Sequence, residues 1–143
     1  MTEKEISAYM HKVAGFMIGS VVIWCAIILW QLFAGVITIF WGYGVGTLLL
    51  MGYNIFAMIL YMRNIDRIKK VHTKEGAEAV LNYFENSIPV CWLFMFINLI
   101  FGGVLGFVGN LYDLILAYNV RKKKYEILAG NDAPYGGEYR EIV

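Results

Sequence analysis

Polar and apolar positions divide this chain into two long apolar runs set between charged segments. No Lys, Arg, Asp or Glu occurs from Val13 to Tyr61, and from Asn86 to Val120 the one charged residue is Asp113. A hydrocarbon core about 30 Å thick takes about 20 apolar residues per helix. The first run is therefore long enough for two crossings, and a water-soluble fold would have no place to hide both. The pattern predicts an all-α integral membrane protein of four transmembrane helices, arranged as two helical hairpins. The expected spans are about 13–33, 38–62, 87–101 and 104–120 in a single domain over 1–124, followed by a mobile cytoplasmic tail over 125–143.

Between the runs the period changes. Ala77, Leu81, Phe84 and Ile88 recur at helical spacing, while Glu75, Glu78, Asn82 and Glu85 line another face. With Thr73 as a cap, this predicts an amphipathic juxtamembrane helix lying on the surface within the central linker. It would run into the third span and bend near Pro89, where a helix hydrogen bond is lost. Such a face suits a solvated stripe or a docking surface for a cytoplasmic partner.

Charge placement sets the expected orientation. Basic residues gather at Lys4 and Lys12, at Arg63, Arg67, Lys69, Lys70 and Lys74, and at Arg121, Lys122, Lys123 and Lys124. The positive-inside rule places all three groups in the cytoplasm, so an even number of crossings separates them. Two crossings per run satisfy this, with Gly35 and Gly102-Gly103 supplying the outer turns. The last two spans are short, and a re-entrant second hairpin is the rival layout. Trp30, Phe33, Phe40, Trp41 and Tyr43 would form an outer aromatic belt, with Tyr61, Tyr83, Tyr118 and Tyr125 on the inner side. The expected location is the inner (plasma) membrane, with both termini cytoplasmic. A cleavable signal peptide is not expected: Met1–Lys12 is mixed in charge, and the apolar segment behind it exceeds a signal core.

Composition agrees with this class: 59% of residues are hydrophobic and 16% charged, against about 25% charged in a typical soluble domain. Cys25 and Cys91 are too few for a disulfide framework and read as packing residues at different depths. A faint internal repeat also favours two equivalent hairpins. Gln31-Leu32-Phe33-Ala34-Gly35-Val36 resembles Asn98-Leu99-Ile100-Phe101-Gly102-Gly103-Val104, apart from one inserted residue.

Asp113 is the main candidate for chemistry, since an ionisable group near mid-span costs at least about 2.5–3.5 kcal/mol and no Lys or Arg lies at matching depth. Asn110, Asn98, Asn54 and Gln31 are the intramembrane polar candidates beside it, with Thr38 and Thr47 as further partners. One reading is a proton or cation site; the other is a side chain hydrogen-bonded across a helix interface. Gly15/Gly19, Gly42/Gly46 and Gly102/Gly106 are spaced for close helix packing. Arg63, Arg67, Lys69, Lys70 and Arg121–Lys124 are expected to grip anionic lipid headgroups. No cluster has metal-ligand spacing, and no catalytic arrangement, cofactor motif or nucleic-acid surface is expected.

One stretch carries a family resemblance. His72-Thr73-Lys74-Glu75 and Glu78-Ala79-Val80-Leu81-Asn82-Tyr83 precede an apolar segment that ends in Lys122-Lys123-Lys124-Tyr125. This resembles the small four-helix bacterial membrane proteins related to the chloroplast inner-envelope protein-import component, over about half of the chain. The resemblance implies an all-helical multi-span protein and an accessory role in a membrane complex. The expected function is thus an accessory or structural subunit, not an enzyme, with a membrane-protein partner or as a homo-oligomer. The alternatives are a homo-oligomeric proton- or ion-coupled transporter or channel using Asp113, and a membrane-permeabilising effector.

Overall fold

The structure, a computed structural model, describes residues 1–128. The described chain is all helical: α1 (Glu3–Ile37), a 3₁₀ turn (Ile39–Trp41), α2 (Tyr43–Lys69), α3 (Lys74–Phe101), α4 (Gly103–Lys122) and the short α5 (Lys124–Leu128). Among the described residues, four helices are long and apolar enough to cross a membrane. The closest packing is between α1 and α2 and between α3 and α4; α1 also meets α4, while α2 and α3 touch sparsely.

α1 begins at a capping box. Thr2 Oγ1 accepts from the Glu5 amide, and the Thr2 amide donates to Glu5 Oε2 at 2.7 Å. This satisfies backbone donors that the first turn otherwise leaves bare. Its 35 residues make a rod about 52 Å long, well beyond a hydrocarbon core of about 30 Å. The excess lies at the charged end, where Ile6, Met10, Val13, Ala14 and Met17 are buried. They pack with Ile65 and Ile68 of α2, Ala77, Leu81, Phe84 and Ile88 of α3, Ala117 and Val120 of α4, and Ile127 of α5.

The amphipathic period at residues 77–88 is therefore real, but its setting differs from the surface-lying helix expected. α3 runs unbroken from Lys74 through Pro89 to Phe101, and the apolar face of its first half closes onto α1. The contacts of α1, which a sequence period cannot reveal, convert a would-be surface stripe into core.

Two further expectations change. Gly35 lies inside α1 rather than at a turn; the reversal falls at Thr38–Gly42, where Gly42 takes φ 75°. α2 accordingly starts at Tyr43, later than the expected 38. Gly103, with φ 68°, makes the second reversal where expected. At the other end, α5 is helical with Ile127 buried, although the sequence places its residues 125–128 in a mobile tail. The remainder of that tail, 129–143, lies outside the described residues.

α5 is also tied down electrostatically. Lys124 Nζ donates to Glu85 Oε2 at 2.7 Å. That hydrogen bond, with the nearby charges of Lys124 and Arg121, holds the Glu85 carboxyl below the usual carboxylate range. A lowered value means the bridge stabilises the fold above the ordinary carboxylate pKa and is lost as pH falls through the folded one. The pair is partly exposed, so its contribution is small, about 0.2–1 kcal/mol. Glu85→Gln is expected to lower the melting temperature slightly at pH 7 and to leave it unchanged near pH 3. An equal drop at both values would show that the bridge contributes nothing.

The interior changes character along the bundle. At the charged end it is Ile, Met, Leu and Phe. Toward the 38–42 and 102–103 turns small and polar positions predominate among the buried ones, Gln31, Asn54, Asn98, Thr47, Gly35 and Gly44, beside the apolar Ile27, Leu50 and Met95. Other large apolar side chains there point outward: Phe40 is 94% exposed, Trp41 86%, Leu49 73% and Val104 71%.

Candidate functional site

Two polar groupings occupy the middle of the bundle. The first joins three helices. Gln31 Nε2 of α1 donates to Asn98 Oδ1 of α3 at 3.1 Å, and Asn54 Nδ2 of α2 donates to Gln31 Oε1 at 3.0 Å and to Asn98 Oδ1 at 3.1 Å. Asn98 Nδ2 in turn donates to the Phe94 carbonyl at 3.0 Å. All three side chains are buried. Burying an amide without a partner is costly, so mutual satisfaction fixes the relative depth of the three helices. Gly102 and Gly106 make the approach possible. A Cβ at Gly102 would stand 2.6 Å from Gln31 Nε2, and one at Gly106 2.8 Å from the Asn98 Cβ.

Asp113 of α4 anchors the second grouping. Its Oδ1 accepts from Ser20 Oγ and, in a long contact of 3.5 Å, from the Tyr61 hydroxyl. Trp24 Nε1 donates to Oδ2 at 2.7 Å. Three donors from α1 and α2 thus converge on one carboxyl, which ties the fourth helix to the first two. Asn110 meets the first grouping only through a shared acceptor; its Nδ2 donates to the Gly106 carbonyl at 3.1 Å and reaches the Phe94 carbonyl, which also accepts from Asn98, at 3.4 Å. Thr47 Oγ1 donates to the Phe101 carbonyl at 2.8 Å, and Thr38 Oγ1 turns back to the Ala34 carbonyl at 2.7 Å.

Where α2 and α3 diverge they leave a lateral crevice of about 290 Å³. Asp113 and Asn110 lie at its α4 side, with Asn54, Tyr61, Tyr83 and Ser87 among the walls. Tyr53 and Phe94 stack across it with ring centroids 4.3 Å apart. Among the described residues no buried side-chain polar atom lacks a partner, and no group of His, Cys, Asp and Glu has metal-binding geometry.

The polar candidates of the sequence therefore divide. Gln31, Asn54 and Asn98 come together, Asp113 forms its own centre, and Asn110 caps backbone. Ser20 and Trp24 belong to the Asp113 centre and escape the sequence reading, and Tyr61, expected in the inner aromatic belt, belongs to it as well. Their signal is a stripe: Ser20, Trp24, Ile27 and Gln31 recur at helical spacing on α1, and Asn54 and Tyr61 are seven apart on α2.

Of the packing glycines, Gly19, Gly46, Gly102 and Gly106 face close neighbours. Gly15 meets nothing within 4 Å, and Gly42 serves the turn instead. Gly35, Gly44 and Gly109 are close-contact positions outside the expected pairs. Cys25 is exposed and Cys91 half-buried, both as free thiols, so Cys25 is less a packing residue than expected. Arg63, Arg67, Lys69, Lys70 and Lys122 are exposed, whereas Lys123 and Lys124 engage Glu126 and Glu85. No family model matches the chain, and neither a curated protein nor a solved structure does.

Proposed function

We propose that this is a four-span protein of the inner membrane, built as two helical hairpins with both termini cytoplasmic, that serves as a small accessory or structural subunit of a larger membrane complex. The observation that carries this reading is the reversal of the interior. In water the hydrophobic effect drives large apolar side chains inward; in lipid they gain nothing by burial, and helices associate through small and polar residues. The charged end of this bundle obeys the first rule; in the remainder small and polar contacts predominate, with Ile27, Leu50 and Met95 as the large apolar side chains buried beside them. The polar groups in that remainder are satisfied by one another, which supports a packing role over a conducting path. The family resemblance carried by the 72–83 segment points the same way.

Orientation is tested by cysteine accessibility in the full chain. The layout requires probes in the 70–73 linker and near the C-terminus to react from one side, and probes at Phe40 from the other; linker and C-terminus on opposite faces would reject it. Function is tested by purification from the native membrane in mild detergent. The expected result is a stoichiometric foreign membrane protein. A pure homo-oligomer would contradict the subunit reading.

The crevice favours one second reading, ion-coupled transport through Asp113, because it brings a carboxyl beside a partly polar opening. Under the leading reading, wild type and Asp113→Asn reconstituted in liposomes conduct no pH-dependent flux. Wild-type flux that vanishes in Asp113→Asn while assembly persists would establish the transporter.

A further inference from the structure

At the charged end of the bundle a groove of about 610 Å³ runs between α1 and α4. Its rim carries Lys12, Lys122 and Lys123, and its wall carries Phe16, Tyr112 and Ile115. Tyr112 Oη donates to the Phe16 carbonyl at 3.0 Å, which holds the ring between the two helices. Gly19 leaves room for it, since a Cβ there would stand 2.8 Å from that hydroxyl.

The charges are not balanced. Lys123 engages Glu126, whereas Lys12 and Lys122 have no ion pair among the described residues. Three lysines against one glutamate leave the groove with two positive charges in excess. Lys12 immediately precedes the apolar run that starts at Val13, and Lys122 ends α4. The cations therefore stand at the polar boundary, while Ile115 lies about 10 Å further along α4, on the apolar side.

We propose that this groove binds one anionic phospholipid, with its phosphate between Lys12 and Lys122 and an acyl chain along Phe16, Tyr112 and Ile115. The combination of cationic rim and apolar wall matches a ligand that carries both features in one molecule. A free phosphate would use only the rim. A second copy of this chain docked by the same groove would set two cationic rims against each other. The inference rests on the membrane reading above, but it differs from general attraction of basic edges to anionic lipid in requiring the shape of the groove.

Native mass spectrometry of the full-length protein, titrated with phosphatidylglycerol and with phosphatidylcholine of the same chains, tests the site. One phosphatidylglycerol is expected to be retained in preference. Lys12→Gln with Lys122→Gln is expected to weaken it on the order of 10–30-fold, given the contribution of each lysine at an anionic surface. Ile115→Trp fills the groove with the charges intact and is expected to abolish retention, whereas Lys74→Gln in the linker changes nothing. Equal retention of the two lipids, an equal loss in the linker variant, or displacement by inorganic phosphate at the lipid's own concentration would each overturn the site. If Ile115→Trp fails to fold, the exposed lysine pair still decides the matter. Alkaline washing separates this failure from that of the membrane reading: a chain that stays with the bilayer yet shows no lipid preference loses only the groove.

Discussion

Gly44→Ala is expected to be the most damaging single methyl added to this chain, costing at least about 3 kcal/mol. The added carbon would lie 2.5 Å from the Ile39 amide nitrogen and 2.6 Å from the Thr38 carbonyl carbon, and it would also collide with the Gly35 carbonyl oxygen. All three obstacles are backbone, so no rotamer change relieves them. The Gly44 amide also donates to the Thr38 carbonyl at 3.1 Å, which holds the reversal closed. Opening the turn to admit the methyl would break this bond as well. Gly52 provides the control. It is an exposed position of α2 with nothing within 4 Å of an added Cβ. Alanine there should gain about 0.5–1 kcal/mol from helix propensity. Thermal unfolding of the two variants in the same detergent should therefore move in opposite directions, and parallel shifts would refute the close approach at Gly44.

Asn98→Leu is expected to be nearly as damaging, at about 2–3 kcal/mol, from two terms of similar size. It removes the acceptor shared by Gln31 and Asn54, stripping Gln31 Nε2 of its partner and leaving Asn54 Nδ2 only its bond to Gln31 Oε1. It also replaces a planar amide by a tetrahedral carbon bearing two bulkier methyls, beside Gly106 and Gly102 where the packing is tight. The hydrogen-bond term alone is modest in a bilayer, averaging about 0.6 kcal/mol per contact, because the unfolded helices also find partners in lipid. A double-mutant cycle between Gln31→Leu and Asn98→Leu isolates it. Coupling above about 0.5 kcal/mol is the expected result, and additive losses would mean that the two amides do not act as a pair.

The helices and their apolar segments were legible from charge alone, because a run such as 13–61 admits no other economical reading. The faint repeat proved informative in an unforeseen way. Gln31 and Asn98, its matching polar positions, are hydrogen-bonded to each other, and Gly35 and Gly102, four residues beyond them, are both close-contact glycines. Three features were not legible, each for a physical reason. Gly35 looks like a turn residue, but a glycine that admits a neighbouring backbone has the same sequence signature as one that reverses the chain. Ser20, Trp24 and Tyr61 are ordinary residues until the fold brings them to Asp113. The core at the charged end depends on where four helices stop, and residues 3–12 are mostly polar, with Ile6 and Met10 alone sharing a buried face.

That shared core has a consequence for biogenesis. Ile6 lies in the opening turns of α1 and Ile127 follows all four long helices, yet both belong to one apolar cluster. The cluster around the leading turns of α1 is therefore complete only when the trailing turn of α5 has been made. Chains interrupted before Ile127 would leave that cluster incomplete and present part of it to whatever quality-control machinery patrols that compartment.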